Sequence, residues 1–407
     1  MDRIAVLQAH LLPLASVQSD SQGLLFDPCS ASVAVGAAAV LVGGMVLDLQ
    51  ACPSTDSDVR RGGSVPGHVT QAPGGVARNV AESLARLCRG VGRPGPVLLS
   101  AVGRDLAGQA LISHMQSLGL STAGILQVAG SSTPTVAVVF DRSGEVAACV
   151  ADVDLLEQAV TPPFLRQHRS LLAAAPVVMV DGNLSPAALE AACHQAAAAG
   201  VPVWFEPVSQ PKSIRASQVL HLLTYISPNE GELVAMAQAV QRGTAQLEPN
   251  PPGILAYPSS SASRDSSNSK IGPLPAEVAA AVEPLLHHTA VLLRAGVKHI
   301  VLTLGPVGAA LCTPGPDNPS STICVQHLPA LPAKVVNCSG AGDCLVAGCL
   351  FGLTQGRTPL QALACGVAAS HAAVESQHNV PPQLSAAAVE RGAREVLAQR
   401  AAAVVRI

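Results

Sequence analysis

Past residue 40 the chain alternates short apolar runs with longer stretches rich in Ala and Leu. Runs at 40–47, 97–102, 135–140, 177–181, 201–205 and 299–304 predict strands, and 77–88, 105–118, 186–199, 231–241 and 276–295 predict helices. In the helix at 77–88, Val80, Leu84 and Leu87 fall at i, i+4 and i+7, forming one apolar stripe. Several strand runs are apolar throughout instead of alternating, which suits strands covered on both faces. Such alternation of strand and helix predicts an α/β fold with a doubly wound, mostly parallel sheet.

Two stretches break this rhythm. Residues 49–72 are polar and rich in Gly and Pro, directly after the first strand. Residues 131–150 read as a hairpin around Arg142-Ser143-Gly144. Together they predict a small β lid. Residues 242–275 run from LEPNPPG into SSSASRDSSNSK, a composition that cannot pack a core and is expected to stay a disordered insertion. The apolar run 31–47 is at the short limit for a membrane span. Gly43-Gly44 interrupts it and Asp48 follows, so it reads as a lead-in joined to a first buried strand. The organisation expected is a poorly ordered extension at 1–38 and one folded domain over 39–400.

Composition narrows the partners. Apolar residues make up 49% of the chain and charged residues 13%, about half the usual charged share. Aromatics are only 2% and the net charge is −3, which argues against both base stacking and electrostatic capture of nucleic acid. The 11 cysteines show no metal-binding spacing and read as reduced thiols. Residues 1–30 lack the Arg-rich pattern of a transit peptide. A cytoplasmic protein, not bound to membrane, is expected.

Candidate chemistry concentrates in Lys334–Gly356. Ser339-Gly340-Ala341-Gly342-Asp343 opens a helix that carries Leu345, Val346, Cys349, Leu350 and Leu353 and ends near Gly356. Glycines at a helix start leave backbone N–H groups open, and the helix dipole adds positive charge, so the point suits an anion. Alone, this pattern is also a tight turn, and Asp343 is also an ordinary cap. Beside an anion pocket, however, a carboxylate can accept a hydroxyl proton. Phosphoryl transfer needs both parts.

Gly340-Ala341-Gly342-Asp343 resembles the second signature of the ribokinase-like (PfkB) kinase family, and Gly74-Gly75-Val76-Ala77-Arg78-Asn79 resembles the first. The resemblance implies a three-layer α/β/α fold with a β lid. It also implies Asp343 as catalytic base and Gly340, Ala341 and Gly342 as anion hole. Gly74, Gly75 and Asn79 would lie against the sugar. Gly43 to Asp48 resembles the family's first strand, ending in Asp48 for sugar hydroxyls. Asn229-Glu230-Gly231-Glu232 resembles the Asn-x-x-Glu motif, with Asn229 near the ATP phosphates and Glu232 organising Mg²⁺ through water. Thr303 to Gly308 resembles the turn that receives ATP, giving Thr303, Gly305 and Gly308 as nucleotide contacts. Family lids often pair between two copies, which would make a homodimer.

Further phrases lean towards the pseudouridine kinases of that family. These are Gly74–Glu82, Asp181-Gly182-Asn183-Leu184-Ser185, Trp204–Ser209 and Ser227–Leu233. The implied reaction converts pseudouridine and ATP to pseudouridine 5′-phosphate, with Asp181 at the crevice edge. The implied functional partner is a pseudouridine-phosphate glycosidase, which a chain of this length has no room to contain. Where the family has Asp-Thr, this chain has Asn337-Cys338-Ser339. A monovalent cation near Asn337 and Ser339 would meet an amide oxygen without charge, which weakens the case for potassium. Other readings stay open: ribokinase, another nucleoside or sugar kinase, or a catalytically silent binding protein. A sugar-phosphate substrate would need Arg60, Arg61 or Arg78.

Overall fold

The uniformly apolar runs become central strands because each carries side chains for two different helical layers. The computed structural model describes residues 36–54, 63–142, 146–243, 273–316, 318–319 and 321–406. Residues 1–35 of the expected extension, 244–272 of the expected insertion, the hairpin tip at 143–145, and Arg60 and Arg61 lie outside the described residues. In chain order the strands are β1 (Val40–Val42), β2 (Val46–Pro53), β3 (Gly67–Gly74), β4 (Val97–Gly103), β5 (Ile125–Val128), β6 (Thr135–Phe140) and β7 (Val146–Asp152). They continue with β8 (Val178–Asp181), β9 (Val203–Glu206), β10 (Tyr225–Ile226), β11 (His299–Thr303), β12 (Ala309–Pro314), β13 (Thr322–Leu328) and β14 (Ala401–Arg406).

A 10-stranded sheet runs β14-β13-β12-β11-β10-β9-β8-β1-β4-β5. From β11 to β5 every neighbouring pair is parallel, and β12 to β14 extend it antiparallel. Val40, Val178, Val203 and Phe205 pack into one helical layer, while Leu41, Leu98, Met179 and Trp204 pack into the other. Burying each of these side chains contributes about 1.5–3 kcal/mol. Two full layers follow from that alternation, and the parallel strand ends meet along one edge, where α/β sheets bind ligands.

A 4-stranded sheet, β3-β2-β6-β7, stands apart. The segments 49–72 and 131–150 feed all its strands, so the expected lid region is strand-rich on both sides. The strand expected over 40–47 is divided at Gly43-Gly44: β1 stays in the large sheet and β2 leaves for the small one. A Cβ on Gly43 would lie 2.3 Å from the Asp181 carboxylate, so the chain turns here at a point only glycine can occupy. The helix expected over 276–295 is likewise two helices, Ala276–Val282 and Leu286–Arg294, joined by a 3-10 turn containing Pro284. Proline removes a backbone donor and clashes with the preceding turn, which explains the break. Among the described residues no helix is long and apolar enough to cross a membrane, and the described cysteines are free.

Candidate active site

The helix Ala341–Thr354 begins at Gly340, whose φ of 77° is left-handed. A Cβ there would lie 2.0 Å from the Asn379 carbonyl oxygen, so the turn requires glycine. First-turn amides have no partner inside a helix, which leaves those of Gly342 and Asp343 aimed outward. The Ala341 amide instead donates to the Cys338 carbonyl at 3.3 Å. The three residues expected as an anion hole thus offer unequal donors. Ala341 and Gly342 form one wall of a cleft of about 820 Å³, which Asn229, Thr303, Gly305 and Gly308 also line. Every residue expected to meet ATP is therefore gathered there. Leu331, Val335, Val367 and Val374 make an apolar flank suited to a flat base. Nothing in the sequence marked them, since they come from a linker and an Ala-rich helix.

Asp343 follows Gly342 of this wall in the chain and is 9% exposed. Asn79 donates from Nδ2 to its Oδ2 at 2.6 Å. Burial pushes its pKa up to about 7, against the lowering effects of the Asn79 bond and the Arg78 charge; Asp181 and Asp48 add repulsion. Its carboxyl group therefore titrates near neutrality. Asp48, on β2, accepts from Asn379 Nδ2 at 3.3 Å and is pushed upward by burial. Gly74 ends β3 two positions from Asp48's partner Ala72, paired with Val46, and a Cβ there would lie 2.0 Å from Asp48 Oδ2. Gly75 adjoins as the cap of helix Val76–Arg89. Asp48, Gly74, Gly75, Asn79 and Asp343 thus surround one corner, between lid and sheet.

One expectation needs correction, and one open candidate closes. Asp181 lies at the end of β8 but is 0% exposed. Its carboxylate accepts from the amides of Gly44 at 2.8 Å, Ala77 at 3.2 Å and Asn183 at 2.9 Å. It clamps the turn and the helix behind the sugar corner, so it has no free face at the crevice edge. Arg78 is 1% exposed and donates to the Pro73 and Gly74 carbonyls at 2.9 and 3.2 Å. It also meets Asn79 Oδ1 and Glu82 at 2.5 Å. That guanidinium is closed to a sugar phosphate.

Asn229 and Glu232 form a reciprocal cap, each accepting the other's backbone amide at 2.9 Å. Glu206, for which no role was expected, ends β9 next to this cap. Its pKa is raised well above the ordinary carboxylate value by burial, with repulsion from Asp343 and Glu232 adding to it. Its position at a parallel strand end was the available signal. No group of three or more His, Cys, Asp or Glu forms a metal cage among the described residues. Glu232, next to the cleft-lining Asn229, Glu230 and Gly231, is the carboxyl that would meet an Mg²⁺ held largely by water and phosphate. Potassium fits less well. Asn337 Oδ1 accepts the Ser339 amide at 2.9 Å, closing its own turn, and no carboxylate joins them.

A cleft for a nucleotide and a polar corner for hydroxyls, joined by a buried carboxylate at a helix start, define a small-molecule kinase. The chain matches the pfkB family of carbohydrate kinases over residues 37–250 and 268–384, and it belongs to that family. It is 37% identical to a pseudouridine kinase of Arabidopsis thaliana, over 84% of this chain and 92% of that one. It is 34% identical to a pseudouridine kinase of Escherichia coli, over 42% and 51% of the two chains. The fold resembles that of Arabidopsis thaliana ribokinase complexed with ribose and ATP, with a TM-score of 0.65 and 17% identity over 88% of this chain and 98% of that one. The protein is a phosphotransferase that moves a phosphoryl group from ATP to a sugar or nucleoside hydroxyl.

Proposed function

We propose that the acceptor is pseudouridine, that the product is its 5′-phosphate, and that Asp343 is the base. The observation that carries the mechanism is the position of Asp343: a buried carboxyl with a pKa of about 7, between the nucleotide cleft and the corner made by Asp48, Gly74 and Asn79. A base near the working pH combines availability with proton affinity. The substrate reading rests on likeness to the two pseudouridine kinases and on the closure of Arg78, which disfavours a phosphorylated acceptor.

In this mechanism Asp48 accepts sugar hydroxyl protons in hydrogen bonds, while Gly74 and Gly75 let the sugar approach the backbone. Asn79 holds Asp343 in line, and Asp343 takes the proton of the primary hydroxyl. The amides at the start of helix Ala341–Thr354 receive the γ-phosphate charge, with Gly340 shaping the turn. ATP lies along Asn229, Thr303, Gly305 and Gly308. Bound magnesium would neutralise phosphate charge, and Glu232 is the residue that would hold it through water. No step uses Asn337, Ser339 or potassium.

The lid carries exposed apolar residues, Val69 and Val150, each at 70%, which supports pairing of two lids in a homodimer. A pseudouridine-phosphate glycosidase is the functional partner this substrate would call for. The free thiols suit the cytoplasm. The test is an ATP-consumption screen with magnesium over pseudouridine, uridine, adenosine, ribose and fructose 6-phosphate. Turnover with pseudouridine above the others supports the reading. Turnover with another acceptor removes the substrate while leaving the base, and no turnover by folded, ATP-binding protein would favour a silent binding role.

A further inference from the structure

Asn79 has an amide whose two ends are almost alike in size, so something must decide which end faces Asp343. Arg78 does so by chemistry. A guanidinium has only donors, and it meets Asn79 at Oδ1. The Nδ2 group is then left to donate to Asp343 Oδ2 at 2.6 Å. Arg78 also donates to the last carbonyls of β3, at Pro73 and Gly74, and so holds the strand end that faces Asp48. Behind it Glu82 binds the guanidinium at 2.5 Å, while Arg86 and His114 hold Glu82 at 2.6 and 3.0 Å.

We propose that Arg78 is a positioning residue for phosphoryl transfer, fixing the Asn79 amide towards Asp343 and the Gly74 backbone over Asp48, with Glu82 as its anchor. This rests on the reading of Asp343 as base. An ordinary buried ion pair would need only Glu82. Contacts from one guanidinium to Asn79 and to both carbonyls beside the sugar corner go beyond that requirement. The electrostatics agree. Asp343 faces Asp48 from β2, Asp181 from β8 and Glu206 from β9, all carboxyls, and Arg78 is the opposing charge from helix Val76–Arg89.

The test compares Asp343→Asn, Arg78→Lys and Arg78→Gln by pH profiles of kcat and kcat/KM, with ATP affinity and melting temperature measured alongside. Asp343→Asn must first lose nearly all turnover; if it does not, the base reading fails, and this inference with it. Given that loss, Arg78→Lys keeps the charge but cannot serve Glu82 and Asn79 together. It is expected to lower kcat roughly tenfold through misplacement of the base, with the acid limb and ATP affinity unchanged. Arg78→Gln is expected to move the acid limb up by about one pH unit, because an opposing charge is lost. In an Asn79→Ala background Arg78→Lys should have little further effect on kcat. Lower stability with wild-type kcat and a wild-type acid limb in the folded variants would overturn the proposal. If Arg78→Gln does not fold, the kcat of Arg78→Lys decides alone.

Discussion

Asp343→Asn separates the cost of the buried carboxylate from its use. Asp343 has its ordinary pKa of 3.8 in the unfolded chain and about 7 in the fold. A raised carboxyl pKa means that folding disfavours the ionised form. The penalty is absent below the unfolded value, grows as pH rises from 3.8, and is constant above about 7. A gap of about 3 units at 1.36 kcal/mol each gives about 4 kcal/mol as the full penalty. At pH 5.5 roughly half of it has developed. Asparagine is neutral throughout and can still accept from Asn79. The variant is therefore expected to be more stable than wild type at pH 8.5 by about 4 kcal/mol, and by about 2 kcal/mol at pH 5.5. Turnover should fall to near background while ATP binding is kept. Denaturant midpoints at the two pH values and an ATP-consumption assay read both effects. A variant that keeps turnover, or whose stability gain does not grow with pH, would refute the reasoning.

Two other outcomes follow from contacts at the site. Gly74→Ala brings a Cβ to 2.0 Å from Asp48 Oδ2, so the acceptor KM should rise roughly tenfold or more, in line with an overpacking cost of about 1–3 kcal/mol. ATP affinity should not change, and an unchanged acceptor KM would remove Asp48 from the sugar corner. Potassium should leave kcat unaltered at constant ionic strength, because Asn337 already closes its turn on Ser339; a clear activation would show that another set of oxygens holds the ion.

The local order of the chain was readable wherever side chains report both faces of a strand. Val40 to Val42, Val97 to Leu99 and Val178 to Val180 are apolar at every position because both layers need filling, so their runs stood out. The strands β12 to β14 did not, since they extend the sheet antiparallel and carry mixed patterns such as Thr322–Leu328. The helix Pro359–Val374 is built on Ala and Gly packed closely against the helix Ala341–Thr354, and small residues give little contrast between faces. At the site, short signatures pointed to Asp343, Gly74 and Asn79, which the fold brings to one corner. Glu206 and Asn379 escaped, because each is brought in by tertiary contacts that leave no spacing in the sequence. Arg78 was visible as a charge, but only its burial reveals what that charge serves.

Asp48, Asp181, Glu206 and Asp343 crowd one end of the sheet, and the number of donors around each assigns its work. Asp181 has three backbone amides and no exposure. An acceptor so placed fixes the turn at Gly43-Gly44 and cannot approach a hydroxyl. Asp343 has one side-chain donor, follows the cleft-lining Gly342 and keeps some exposure, so a lone pair remains for a proton. Asp181→Asn tests this division. Burial pushes the Asp181 carboxyl upward despite its three amides, so the amide relieves a buried charge but turns an NH2 group towards backbone donors and leaves at least one of them unpaired, at about 1–3 kcal/mol. The two effects oppose, so the decisive readout is the pH profile: the folded variant is expected to keep its acid limb near 7 or slightly below, since Asp181 repels Asp343. An enzyme of wild-type stability that has lost its acid limb would instead make Asp181 the base.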